Sequence, residues 1–260
     1  MMEDILTPRE LRRYSKQIKI PEIGIGGQEC LKKASVLVVG AGGLGCPALQ
    51  YLTAAGVGKV GICEFDTVSE ENLQRQILYG SNDVGKLKAL IAKNRLEILN
   101  SFVKIEVLNL RIVSTNAVPV FNDFDIILDA TDNLETRYII NDACVILGKP
   151  MVHGAIYKFE GEVSVFNYMG GPTYRCFNPY SNSKDCRNPS PAEVGIVGVL
   201  PGIIGTMMAN EAIKIITGSG KVLSGKVLIL NISDNKTHLI SVRNISDNHL
   251  VSEPSGTYKK

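Results

Sequence analysis

The stretch VLVVGAGGLG, residues 36–45, runs a β-branched segment into a turn that carries Gly40, Gly42, Gly43 and Gly45. Gly40, Gly42 and Gly45 satisfy G-x-G-x-x-G between a predicted strand and a predicted helix. Such a turn brings bare backbone amides close to a phosphate, and the helix N-terminus behind it presents a positive dipole end. Nineteen residues after Gly45, Glu64 ends the next strand, where a carboxylate grips ribose hydroxyls. These residues read as a site for an adenosine-containing ligand. By themselves they do not separate NAD, FAD and ATP.

The next segments, FDTVSEENLQRQ and DVGKLK, contribute Asn72, Arg75, Gln76 and Lys88. A dinucleotide enzyme needs no cation there. A nucleotidyl-transfer enzyme does, to neutralise a triphosphate and the charge that builds on its α- and leaving phosphates. Arg75 offers a planar fork, Lys88 a point charge, and Asn72 and Gln76 neutral donors. The competing classes are a NAD-dependent Rossmann oxidoreductase and a non-catalytic scaffold of the same fold. The polar group around the glycine turn argues against both. DATDN, residues 129–133, follows a strand at the edge where open α/β sheets bind ligands. Two carboxylates there suit Mg²⁺, which binds through one or two carboxylates plus substrate phosphates. An Asp at this place also caps helices. Whether Asp129 or Asp132 faces the metal is open on residue chemistry alone.

The elements that must hold these residues alternate. Strand SVLVV, a helix from Gly43 to Ala55, strand KVGICEF, helix GKLKALIAKNRLEILN, strand VKIEVLNL, a short helix, strand DIILDA and helix LETRYIINDACVILG follow in turn. That order predicts a doubly wound, Rossmann-like α/β sheet that is mostly parallel. After Pro150 the pattern changes: PMVHGAI, GEVSVFNY, KVLILN and HLISVR read as strands, mostly without helices between them, so the sheet continues into antiparallel strands. A loop spans Phe177–Pro191, and an apolar helix follows Pro201, destined for the core or a subunit contact. The first 34 residues read as two short helices with a break at GIGGQEC, and residues 245–260 as a flexible tail.

Composition bounds the rest. A chain of 260 residues with 45% hydrophobic and 21% charged residues can bury a substantial core. The formal charge of +2 and the lack of a basic block argue against nucleic acid as a partner. The N-terminus has no apolar signal segment, and the stretch Val194–Asn210 is broken by Pro201 and glycines, so neither secretion nor a membrane is expected. Six scattered cysteines fit free thiols and a cytoplasmic setting.

RRYSKQI, GAGGLG, FDTVSEENLQRQ, DATDN and GIIGTMMANEAIKIITG, in this order and spacing, resemble the ThiF/MoeB/HesA family, bacterial relatives of ubiquitin-activating E1 enzymes. The resemblance covers about Leu11 to Arg243. It implies a homodimer with the E1-like adenylation fold that adenylates the C-terminal Gly-Gly carboxylate of a small ubiquitin-like sulfur carrier, using ATP and Mg²⁺. Residues 1–34 are then an N-terminal helical segment, 35–150 the ATP-binding part and 151–244 the carrier-binding and dimer part of one domain. By the same resemblance Gly42 lies in the phosphate turn, Glu64 sits at the ribose position, Asn72, Arg75 and Lys88 are phosphate ligands, and Asp132 is the Mg²⁺-linked aspartate beside Asn133.

This sequence departs from the family pattern at three places. Glu64 stands where Asp is usual. Lys16 replaces the second arginine of RY-x-RQ, which reaches into the partner subunit's site, so the charge stays and the fork is lost. Two CxxC pairs that hold zinc in many members are reduced to Thr173-Tyr-Arg-Cys176, with no cysteine after Cys186, so no structural zinc is expected. Cys186 lies in the loop where members that link covalently to the carrier keep a cysteine; a bystander role is the alternative. A ThiS-type carrier, of the thiamin pathway, is the expected substrate, on that loop and the missing zinc pairs; a MoaD-type carrier of the molybdopterin pathway is the alternative. No rhodanese-like extension is seen in the sequence, so a separate protein is expected to donate sulfur. His153, His238 and His249 show no ligand spacing and read as structural or surface residues.

Overall fold

A computed structural model describes residues 5–179 and 195–256. Eight strands form one mixed sheet in the order β3-β2-β1-β4-β5-β6-β7-β8. They are β1 (Ser35–Val39), β2 (Lys59–Cys63), β3 (Lys104–Leu108), β4 (Ile126–Asp129), β5 (Met151–Tyr157), β6 (Glu160–Phe166), β7 (Lys226–Asn231) and β8 (Lys236–Ser241). The first five pair in parallel. From β6 onward the pairing is antiparallel. The change of strand character after Pro150 is therefore a change of pairing within one sheet.

Both faces of the parallel half are covered, and β1 shows how. Val36 and Val38 face one apolar cluster, while Leu37 and Val39 face the other. Burial on both sides explains the unbroken β-branched run. The first cluster includes Leu49 and Leu52 of α4 (Gly45–Ala55), Leu96 of α5 (Lys88–Leu99) and Ile204 and Met208 of α9 (Val199–Thr217). The second includes Phe121 of α6 (Ala117–Asn122) and Ile140 and Ala143 of α7 (Leu134–Leu147). Each fully buried Leu or Ile contributes about 1.5–3 kcal/mol of apolar burial.

The N-terminal segment differs from its expected form. Besides α1 (Pro8–Arg13) and α2 (Ser15–Ile18), the supposed break GIGGQEC is itself helical, within α3 (Gly24–Lys33). Glycine is a poor helix former, but tertiary contacts override it. Leu31 is wholly buried, and Gln28 Nε2 donates to the Ala55 carbonyl at 2.9 Å. Helix α9 begins at Val199, so Pro201 falls in its first turn, where a missing N–H costs nothing. It is long and apolar enough to cross a membrane. One stripe of it, Leu200, Ile204, Met208 and Ala212, is buried in the core. Residues 245–256, expected to be flexible, are tied down instead. Ser246–His249 forms a short 3₁₀ turn, and beyond it Ser255 N donates to Asp142 Oδ2 at 2.9 Å. Arg175, in α8 (Tyr174–Phe177), donates to the Ser255 carbonyl at 3.0 Å.

Candidate active site

Strand β1 has β2 on one side and β4 on the other, so chain direction around the sheet reverses there. The C-terminal ends of β1 and β4 therefore open a crevice. The glycine turn leaves β1, and Asp129–Asn133 leaves β4. A cavity of about 320 Å³ fills this crevice. Its walls include Gly40, Gly42, Gly43, Glu64, Arg75, Gln76, Lys88, Asp132 and Asn133, nine residues singled out from sequence.

The glycines have different duties. Gly40 has φ +96°, and a Cβ there would lie 2.8 Å from the Ala130 carbonyl oxygen. This is how the two loops touch. Gly45 does not line the cavity; its Cβ would fall 1.9 Å from the Gly40 carbonyl oxygen. Gly45 closes the turn, while Gly42 and Gly43 face the space. A Cβ at Gly43 would lie 3.1 Å from the Pro201 side chain of α9.

Glu64 sits one residue beyond β2. Its Oε2 accepts from Ala41 N at 2.9 Å, and its Oε1 from Phe65 N at 2.8 Å and Asp66 N at 2.9 Å. The carboxylate thus shapes the glycine turn as well as lining the cavity. Asp66, more exposed on the same wall, was not singled out from sequence. Its Oδ2 lies 3.5 Å from Lys88 Nζ. Lys88 is the first residue of α5 and is nearly buried, aimed into the cavity. Arg75 Nη2 donates to Asn72 Oδ1 at 2.7 Å. Asn72 is not on the cavity wall and acts by orienting the guanidinium. Gln76 is 5% exposed, and its Oε1 is a buried acceptor with no donor among the described residues. Asn133 is the N-cap of α7, accepting from Thr136 N at 2.9 Å. The side-chain oxygen of this residue, expected from sequence to bind the cofactor, is thus engaged in the helix cap.

The two aspartates part company. Asp129 is wholly buried, and its Oδ1 accepts from Thr131 N and Oγ1 at 3.1 and 2.6 Å. His153 Nδ1 lies 2.8 Å from Asp129 Oδ2, and His153 Nε2 lies 3.2 Å from Glu162 Oε1. Burial alone would raise the Asp129 pKa; His153 and Arg137 outweigh it and hold the carboxyl below its ordinary range. Asp132 is exposed on the cavity wall. Asp129 thus braces the loop, and Asp132 faces the cavity.

Arg111 and Arg137 also line the cavity and were missed. No motif marks either. Arg111 follows β3, with its guanidinium carbon 5.9 Å from the Phe65 ring centroid. Arg137 lies one turn into α7, and its Nη2 donates to the Thr131 carbonyl at 2.9 Å. The cavity therefore gathers the cations Arg75, Lys88, Arg111 and Arg137 against the carboxylates Glu64, Asp66 and Asp132. That surplus, an orphan acceptor at Gln76 and a bare glycine turn fit a nucleotide polyphosphate. An exposed hard-oxygen ligand at Asp132 fits Mg²⁺.

Lys16 is exposed on α2 and does not line this cavity. Its neighbours anchor the helix: Tyr14 is buried and accepts from Asn100 Nδ2 at 2.9 Å, and Gln17 Nε2 donates to Gln28 Oε1 at 2.6 Å. Cys186 lies outside the described residues. Cys176 Sγ accepts from Ile245 N at 3.4 Å and Asn248 Nδ2 at 3.5 Å, and lies 3.4 Å from Thr173 Oγ1. Among the described residues no three His, Cys, Asp or Glu side chains are grouped as metal ligands.

A parallel sheet reversing at β1/β4 and continuing into antiparallel strands is the E1-like adenylation fold. Escherichia coli MccB shares it with a TM-score of 0.79 at 20% identity, over 90% of this chain and 72% of MccB. PaaA shares it with a TM-score of 0.78 at 23% identity, over 94% of this chain and 77% of PaaA. The chain belongs to the ThiF family, whose family model matches residues 14–251, and it is an adenylyltransferase. A sulfur carrier protein adenylyltransferase of Thermus thermophilus is 48% identical over 91% of this chain and 89% of its own length. A probable molybdopterin-synthase adenylyltransferase of Porphyra purpurea is 50% identical over 85% of this chain, which spans 58% of that protein. The probable adenylyltransferase/sulfurtransferase MoeZ of Mycobacterium tuberculosis is 44% identical over 92% of this chain, which spans 62% of MoeZ.

Proposed function

We propose that this protein adenylates the C-terminal Gly-Gly carboxylate of a small ubiquitin-like sulfur carrier, using Mg-ATP. The observation that carries the reading is the single cavity in which a glycine turn, Arg75, Lys88 and Asp132 converge. The name of the Thermus relative supports the carrier as substrate.

In the reaction a carrier carboxylate oxygen attacks the α-phosphorus of ATP. The bond between the α-phosphorus and the bridging oxygen breaks, pyrophosphate leaves, and an acyl-adenylate forms. Amides of the glycine turn and the N-terminus of α4 receive the phosphates. Arg75, oriented by Asn72, and Lys88 neutralise charge that builds as pyrophosphate departs. Asp132 would hold Mg²⁺, which supplies further charge stabilisation on the phosphate oxygens. Gln76, with its free oxygen, accepts from a nucleotide hydroxyl or an ordered water.

The active unit is a homodimer in the cytoplasm, and Lys16 serves the neighbouring subunit's ATP. Its exposure and its place off its own cavity wall support this reading. So does the outward face of α9, where Val199 and Ile203 are 63% and 39% exposed. Cys186 is the candidate for a covalent link to the carrier. We favour a ThiS-type carrier, on the Cys186-bearing loop. The name of the Porphyra relative favours the MoaD-type alternative. ATP–pyrophosphate exchange with each purified carrier tests class and partner together. Exchange that depends on one carrier is the expected result, and no exchange with either would refute the proposal.

A further inference from the structure

A ladder of buried charges lies behind the cavity, and the adenylation chemistry above does not use it. Asp129 and His153 are partners in the β4–β5 pairing, and Glu162 reaches His153 from β6. Asp129 and His153 are wholly buried, and the Glu162 side chain is 26% exposed. Arg137 of α7 flanks Asp129, with Nε 3.8 Å from Oδ2. Tyr174 and Phe166 close the ring face of His153, their centroids 5.0 and 5.9 Å away.

The hydrogen-bond inventory fixes the state of the imidazole. An ionised carboxylate only accepts, and a neutral imidazole has one N–H to give. His153 has a carboxylate on each nitrogen, so with both carboxylates ionised the two bonds are made together only when both nitrogens carry protons. Two carboxylates, Arg137 and an imidazolium also sum to zero net charge, the arrangement that low-dielectric burial favours.

The ladder reaches the neighbour of Asp132 through Thr131. Thr131 is gripped at three atoms: its N and Oγ1 donate to Asp129, and its carbonyl accepts from Arg137. Asp132 is the next residue. We propose that His153, held as an imidazolium between Asp129 and Glu162, is a positioning residue for the metal-bound nucleotide: it fixes Asp129, through it Thr131, and so the direction in which Asp132 meets the cavity. This rests on the adenylation reading, which gives Asp132 its metal.

Two measurements test it. In ¹⁵N-histidine NMR of the metal-free wild-type protein at pH 8, one of the three histidines shows both ring nitrogens protonated, and that signal is absent from His153→Gln. A neutral tautomer at His153 overturns the proposal, whether or not any variant folds. In calorimetric titrations of ATP, Glu162→Gln and His153→Gln raise the half-saturating Mg²⁺ about tenfold or more, the effect typical of losing an outer-shell partner. A lowered melting temperature with an unchanged Mg²⁺ requirement overturns it too. Wild-type protein that binds Mg-ATP yet exchanges with no carrier refutes only the adenylation reading, and these measurements still decide His153.

Discussion

Asp129 and Asp132 stand three positions apart and meet opposite environments. One is wholly buried among three hydrogen bonds; the other lies open on the cavity wall. Asp132→Asn is therefore expected to abolish ATP–pyrophosphate exchange, with a melting temperature within about 2 °C of wild type, since exposed substitutions stay within about 0.5 kcal/mol. Exchange at the wild-type rate would remove the metal role. Gly45 makes the opposite case. Its Cβ would sit 1.9 Å from backbone oxygen, which cannot swing aside as a side chain can. Gly45→Ala should cost more than the about 1–3 kcal/mol typical of overpacking. Denaturant unfolding that gives a stability equal to wild type would show that the turn can relax.

At the scale of elements, β4, β5 and β6 are stitched by Asp129, His153 and Glu162 as well as by their backbone ladder. Burial alone would lower the His153 pKa; the bonds to Asp129 and Glu162 outweigh it and hold the value above the ordinary 6.5. A proton held more tightly in the folded state stabilises below the unfolded value and is lost as pH rises through the folded one. For Glu162 burial alone would raise the pKa, but His153 and Arg137 bring it below the ordinary 4.5. Glu162 and Asp129 therefore stabilise above their ordinary values, and this is lost as pH falls through the folded ones. Charged groups facing His153 are Asp129, Glu162 and Arg137, with the Tyr174 phenol beside them. The ladder contributes most between the carboxylates' ordinary values and 6.5. Melting temperatures of wild type should decline as pH rises from the ordinary 6.5 through the folded His153 value and level off above it, and His153→Gln should flatten that decline. Parallel curves for the two proteins would contradict it.

The whole molecule enters through Lys16, which α2 carries away from its own chain's cavity. If it serves the partner, Lys16→Ala and Asp132→Asn should each be nearly inactive as homodimers. Mixed under conditions of subunit exchange, they form heterodimers with one doubly defective site and one intact site. Exchange activity should then return, toward about half the wild-type rate per heterodimer by simple site counting. A mixture that stays inactive, with heterodimers confirmed by tagged chains, would place Lys16 in its own chain's chemistry.

Local chemistry determined a good deal from sequence alone. Glycines at positions 40, 42 and 45 between a strand and a helix demand a tight turn, and the turn is there. Alternating β and α units demand a sheet covered on both faces, and β1 has one. Arg75, Gln76, Lys88 and Asp132 share one cavity because each follows a strand end or opens a helix at the same edge. Contacts between distant segments were beyond that reading. GIGGQEC became helix because Gln28 and Leu31 found partners and burial in the fold. Residues 245–256 were held because Asp142 and Arg175 had hydrogen bonds to offer Ser255. Arg111 and Arg137 belong to no motif and join the site only when β3 and α7 are brought to the crevice. His153 has no ligand spacing in the chain; a carboxylate reaches each of its nitrogens only because β4 pairs beside β5 and β6 folds back upon it. Side-chain partners across a sheet depend on register and topology, which hydrophobic periodicity does not encode.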